Sequence, residues 1–189
     1  MATGCGEPAL PRPADPTRTE IAYHAVSDYL PLLDNTVMSF ETETEGSPER
    51  GLLIMQVRRP RPTVVELNIG GKIRRLDLLK EGVKMIEGGW LLKAPLEVGA
   101  TFPGLSGQVR IASISRSVDV PAGKFKECVE TVEISPQVRT LTTFCPLVGI
   151  VLLEVDSMSV QNPEHITARL KAHGPRVDLG GDRVQIRSE

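Results

Sequence analysis

Residues 118–157, VDVPAGKFKECVETVEISPQVRTLTTFCPLVGIVLLEVDS, decide the fold of this chain. Extended runs alternate there with turn-forming Pro121-Ala122-Gly123, Ser135-Pro136-Gln137 and Pro146-Leu147-Val148-Gly149, and there is almost no helical period. That pattern predicts a strand, a hairpin and a return strand of an antiparallel sheet. If Pro136 and Gln137 form a two-residue connection, residues whose numbers sum to 273 lie opposite one another, and Cys128 and Cys145 are such a pair. Opposed residues have Cα atoms ~4.5–5.5 Å apart, inside the range a disulfide accepts. A bridge closing a loop of this size contributes about 3 kcal/mol in the chain-entropy model. Pro-Gln is not a favoured hairpin pair, and a longer loop would move the register. Two reduced cysteines packed as small apolar groups are the other reading.

Strand signals continue on both sides. Towards the C-terminus, Ile166, Ala168, Leu170 and Ala172 alternate, which predicts an edge strand. Towards the N-terminus, residues 108–120 form the longest extended run, yet their apolar parity changes. Val109 and Ile111 are odd, whereas Ile114, Val118 and Val120 are even, so a β-bulge is expected around Ala112 and Ser113. Gly70-Gly71 and Glu87-Gly88-Gly89 each reverse the chain between short apolar runs. Residues 51–58 carry Leu53, Met55 and Val57 on one side and Leu52 and Ile54 on the other, the pattern of a strand buried on both faces. Residues 36–44 set Met38 and Phe40 against Val37, Ser39, Glu41 and Glu43, and a short helix within residues 21–33 ends before Pro31. The fold class is therefore mainly β, an antiparallel meander forming a sandwich or an open half barrel, with at most short helices near the N-terminus.

A length of 189 residues fits one domain with a real core. We read residues 1–19, with Pro8, Pro11, Pro13 and Pro16, as a flexible Pro-rich tether, residues 20–173 as a single β domain and residues 174–189 as a C-terminal tail. The net charge of −2 leaves no strongly basic surface for a phosphate backbone, and aromatics are scarce, so nucleic acid is not an expected partner. Arg58, Arg59 and Arg61 are the one basic knot and read as a solvated loop. No apolar run approaches the ~18 residues of a membrane-spanning helix. The N-terminus as given lacks the basic and apolar regions of a signal peptide. Cys5 follows Ala2-Thr3-Gly4, the small residues found before a lipid-modified cysteine, although Ala2 stands where leucine is usual. If the gene starts upstream of Met1, or a signal was trimmed, Cys5 is the acylated first residue of a mature lipoprotein; the other reading is an incidental thiol in a tail. On the first reading one cysteine serves the lipid and two the bridge.

Four blocks carry a resemblance. They are Tyr29-Leu30-Pro31-Leu32, Pro95-Leu96-Glu97-Val98-Gly99, Val120-Pro121-Ala122-Gly123-Lys124-Phe125 and Pro146-Leu147-Val148-Gly149-Ile150-Val151. Together they resemble a class of uncharacterised bacterial lipoproteins with Tyr-Phe-Pro-Leu, Pro-Leu-x-Val-Gly, Val-Pro-Ala-Gly-Thr-Phe and Pro-Gly-Val-Gly-Leu-Val. This chain departs from that pattern at Leu30, at Lys124, at Leu147, and at Val37 and Phe102, where tryptophan is usual. The resemblance implies a predominantly β fold and a place in the bacterial cell envelope, on the periplasmic side of the outer membrane or secreted. It brings no activity with it.

No catalytic, cofactor or metal site emerges from the residues. His24, His165 and His173 are scattered and read as solvated, short of the three or four ligands a zinc ion needs. Ser106 lacks Gly-x-Ser-x-Gly spacing, and the glycine pairs do not sit between strand and helix. Glu41, Glu43, Glu130 and Glu133 fall on presumed strand exteriors, as on a wet sheet face. The chain is thus expected to be no enzyme and to hold no cofactor. It reads as a non-catalytic envelope lipoprotein or secreted binding domain, reaching the membrane through a lipid anchor and meeting an unidentified protein or apolar ligand. The alternative is a half-barrel carrier of a lipid or other apolar ligand, motivated by the apolar set Leu52, Ile54, Met55, Val64, Leu67, Leu78, Met85 and Leu92.

Overall fold

The computed structural model describes residues 25–158 and 164–176, so Cys5, His24, the expected tether and residues 177–189 lie outside the described residues. After a single helical turn, α1 (Val26–Tyr29), the described residues form twelve strands. They are β1 (Thr36–Thr44), β2 (Arg50–Arg61), β3 (Val64–Ile69), β4 (Lys72–Leu79), β5 (Gly82–Met85) and β6 (Trp90–Lys93), followed by β7 (Thr101–Pro103), β8 (Gln108–Val120), β9 (Gly123–Ile134), β10 (Val138–Cys145), β11 (Gly149–Ser157) and β12 (His165–Pro175). All belong to one antiparallel sheet in the order β6-β5-β4-β3-β2-β1-β12-β11-β10-β9-β8-β7. Each strand neighbours its chain successor except at β6 and β7, the two edges, and the circuit is completed by β12 pairing with β1. The sheet is a nearly closed barrel with one seam. Closure removes the long exposed edges that an open twelve-stranded sheet would carry.

The turns explain the registers. Gly70 and Gly71 both take left-handed backbone, φ 55° and 86°, and place Ile69 opposite Lys72 in a two-residue hairpin. At the β9–β10 turn the Ser135 hydroxyl accepts the Val138 N–H at 3.1 Å, and Ser135 N–H donates to Val138 O at 2.9 Å. The buried serine closes a turn that Pro-Gln alone does not favour. Ile134 then opposes Arg139 and Val129 opposes Phe144, the register read from the sequence. One pair further, Cys128 and Cys145 are joined as a disulfide with Cα atoms 4.3 Å apart. The bulge also falls where parity places it, since pairing with β9 shifts between Ile111 and Ser113 and leaves Ala112 out.

Three expectations are corrected. β12 is not an edge strand but lies between β1 and β11, and it runs to Pro175, with Gly174 opposite Val37 and Pro175 opposite Thr36. A register shift opposite Ser39 and Phe40 also turns Ala172 away from the face that Ala168 and Leu170 share. On β2 only one face is buried, because Met55 and Val57 enter the core whereas Leu52 and Ile54 are exposed on the outside.

Inside the barrel Phe40, Val57, Val65, Leu76, Leu92, Ile111, Phe144 and Leu170 are almost wholly buried. The outer row that runs through Leu52, Glu41, Arg169, Leu152, Thr143 and Glu130 starts exposed and ends buried, with Thr143 at 0%. The long β8–β9 hairpin accounts for this. Its turn reaches β12, where Ala122 N–H donates to Leu170 O at 2.9 Å, and so it crosses β10 and β11. Val120, Cys128, Cys145 and Leu152 are buried with it, and Arg116 on its stem pairs with Glu130 at 3.3 Å.

Candidate functional site

Strand direction gathers the β2–β3, β4–β5, β8–β9 and β10–β11 turns at one end of the barrel, together with the start of β1 and the end of β12. This mouth is stopped by α1 and the segment after it. Tyr29 Oη donates to Glu127 O at 3.0 Å, and Leu147 N–H donates to Asp28 O at 2.7 Å. Burial first, then the Glu127 and Asp28 carboxylates, hold the Tyr29 phenol above its ordinary range. Gly149 (φ 104°) lies against Leu30 and Pro31. Two blocks far apart in the sequence, Tyr29-Leu30-Pro31-Leu32 and Pro146-Leu147-Val148-Gly149, thus interlock.

Beside this stopper a cleft of about 410 Å³ opens, within the range of small-molecule sites. Leu30, Leu32, Met38 and Val57 make its apolar floor, Leu147 and Val148 one wall, and His173 and Pro175 on β12 the other. Its rim is apolar and wet, with Leu147 77% and Leu33 60% exposed. Leu147 is held at φ 64°, a left-handed conformation that costs a leucine of order 1 kcal/mol and that glycine or asparagine adopts freely. Sequence reading missed this cleft, although Leu30, Leu32, Leu147 and Val148 all lie in the two interlocking blocks. The residues it assembled for a carrier do not line one cavity: Met55, Leu67 and Leu92 are core, and Leu52 and Ile54 face outward.

The opposite end is polar. Glu133, expected on an exterior, accepts the N–H groups of Ser106 and Gly107 at 2.5 and 2.8 Å and ties down the β7–β8 turn. His165, expected to be solvated, is instead partnered. Its Nδ1 lies 2.5 Å from Asp156 Oδ1 and its Nε2 3.1 Å from Thr167 Oγ1, while Arg139 holds the other Asp156 oxygen at 2.8 Å. Hydrogen bonding from His165, then Arg139, lowers the Asp156 carboxyl below its ordinary range against the opposing pull of burial. Arg169 bonds Glu43 at 2.6 Å, which together with the nearby Arg50 lowers Glu43 too. Among the described residues no cluster of three or more His, Cys, Asp or Glu is arranged to hold a metal ion. No helix among them is long and apolar enough to cross a membrane.

No family model matches the chain, and no curated protein matches it. Two solved structures are similar in the course of the chain. One is a "putative exported protein with YmcC-like fold" from Bacteroides fragilis, 13% identical with a TM-score of 0.46, covering 75% of this chain and 96% of that one. The other is a "putative lipoprotein" from Parabacteroides distasonis, 14% identical with a TM-score of 0.47, covering 77% of this chain and 98% of that one. The likeness is too slight to carry an activity, a ligand or a location to this chain.

Proposed function

We propose that the protein is an envelope lipoprotein, acylated at Cys5, whose β domain binds an apolar group of its ligand in the mouth cleft. The observation that carries the binding reading is Leu147. A leucine that is mostly in water and also in left-handed backbone loses on both counts in the free protein, and such outliers concentrate where a ligand is gripped. The Cys128–Cys145 bridge supports an oxidising compartment. A carrier enclosing lipid within the sheet has less support. A lumen wide enough for an acyl chain would leave accessible surface on the side chains around it, whereas Phe40, Leu76, Ile111, Phe144 and Leu170 are below 2% exposed.

The test is Leu147→Asn, which suits the backbone and deletes the apolar wall. Titrated with a fluorescent long-chain fatty acid, this variant should bind at least about tenfold more weakly, since burying one leucine is worth ~1.5–3 kcal/mol. Its folding stability should hold or rise. Unchanged affinity would remove the cleft from consideration. Mass spectrometry of membrane fractions from the native host tests the anchor separately, and an unmodified Cys5 there sinks the lipoprotein half of the reading.

A further inference from the structure

The line Asp156–His165–Thr167 lies at the opposite end of the barrel from the mouth, and its chemistry is independent of the mouth cleft. Three strand relationships build it. Asp156 and His165 are directly opposed on β11 and β12, and Thr167 lies two residues beyond His165 on the same face of β12. An ionised Asp156 only accepts hydrogen bonds, so His165 Nδ1 must carry the proton in their 2.5 Å contact. In a neutral ring Nε2 is then the acceptor, and its partner at 3.1 Å is the Thr167 hydroxyl. A carboxylate orienting an imidazole that takes a proton from a hydroxyl is the arrangement that activates a nucleophile. His165 and Thr167 also line an open cleft of about 410 Å³ with Arg50, Arg169, Glu43 and Glu45. Arg50 and Arg169 spend donors on Glu41 and Glu43, but each guanidinium has five N–H groups. Both guanidiniums therefore keep N–H groups that Glu41 and Glu43 do not take up, in a cleft that Glu49 also lines.

The geometry points to a hydrolytic site for esters of small acyl groups, with Thr167 as nucleophile, His165 as general base and Asp156 as the group that orients it. Thr167 Oγ1 bonds to the acyl carbon as its proton passes to His165 Nε2. The bond from that carbon to the leaving oxygen breaks, and the leaving oxygen takes the proton. Water then adds to the acyl-threonine and gives its proton to His165. The Thr167–acyl bond breaks, and the proton returns to Oγ1. One ester and one water become one acid and one alcohol, with no change of oxidation state. Thr167 is only 4% exposed, which restricts the acyl group to a small one.

The probe is p-nitrophenyl acetate with the full chain, followed by nitrophenolate release and by mapping acetyl adducts with mass spectrometry. Hydrolysis above the buffer rate is expected, with an acetyl group on Thr167. Thr167→Val keeps the β-branched shape and should abolish both, Thr167→Ser should keep both, and His165→Gln should slow release by about a hundredfold or more. Circular dichroism and urea midpoints establish that each variant is folded. Release no faster than buffer, acetyl groups on lysines alone, or a rate that survives Thr167→Val would overturn the assignment.

Discussion

Replacing Cys128 and Cys145 together by alanine tests the register on which the barrel is built. The bridge spans a sequence separation of 17, and the chain-entropy model gives about 3 kcal/mol for a closed loop of that size. Both sulfurs are fully buried, so alanine also deletes packing contacts, and the loss should be about 3 kcal/mol or more. That is a large part of the ~5–15 kcal/mol that holds a typical domain folded. At this chain length it corresponds to roughly 6–12 °C in Tm. Urea unfolding of the full chain without reductant, parent against double variant, measures it as a shift in midpoint. Under the same unfolding conditions iodoacetamide should label neither Cys128 nor Cys145 until reductant is added. A double variant within about 0.5 kcal/mol of the parent, the range of an ordinary surface change, would refute the reasoning, as would labelling of both thiols in the unreduced chain.

The seam and the stopper yield two further expectations. A Cβ at Gly89 would collide with the Gly104 backbone across the seam between β6 and β7, whereas one at Gly88 meets nothing within 4 Å. Gly89→Ala should therefore cost about 1–3 kcal/mol in urea unfolding, and Gly88→Ala no more than about 0.5 kcal/mol. Equal effects would mean that the edges do not touch there. Tyr29→Phe removes the hydrogen bond to Glu127 O and should cost about 1 kcal/mol at neutral pH. Because the folded phenol titrates above the ordinary value of 10.0, its contribution is fully present below pH 10.0 and is lost as pH rises through the folded value. The gap between parent and Tyr29→Phe should narrow above pH 10, and a gap that widens there would contradict the assignment.

What the sequence revealed was local. The β9–β10 register, the bridge and the Ala112 bulge each follow from turn chemistry or parity within one or two strands. What it concealed depends on strands that meet only in three dimensions. Nothing near Leu170 announces that Phe40 lies opposite, so β12 read as an edge. Leu52 and Ile54 look like the second apolar face of a central strand, but that face belongs to the outside of a barrel. Asp156 and Thr167 draw no notice, and His165 reads as solvated, until the β11–β12 register is known, since only that pairing brings the carboxylate to the ring. The mouth cleft was half visible, because the blocks around Pro31 and Pro146 supply its apolar walls, but the docking of one block onto the other was not.

The pairing of β1 with β12 also sets a timetable. β1 can zip to β2 as soon as the first hairpin exists, but its other hydrogen-bonding edge has no partner until residues 166–175 arrive. A chain delivered from its N-terminus therefore carries a raw strand edge through nearly its whole emergence, the kind of edge that templates aggregation. Loop closure over such a span is slow, and the last strand to appear is the one that locks the circuit. Chaperoning of the nascent or translocating chain would thus matter most before β12 is in place.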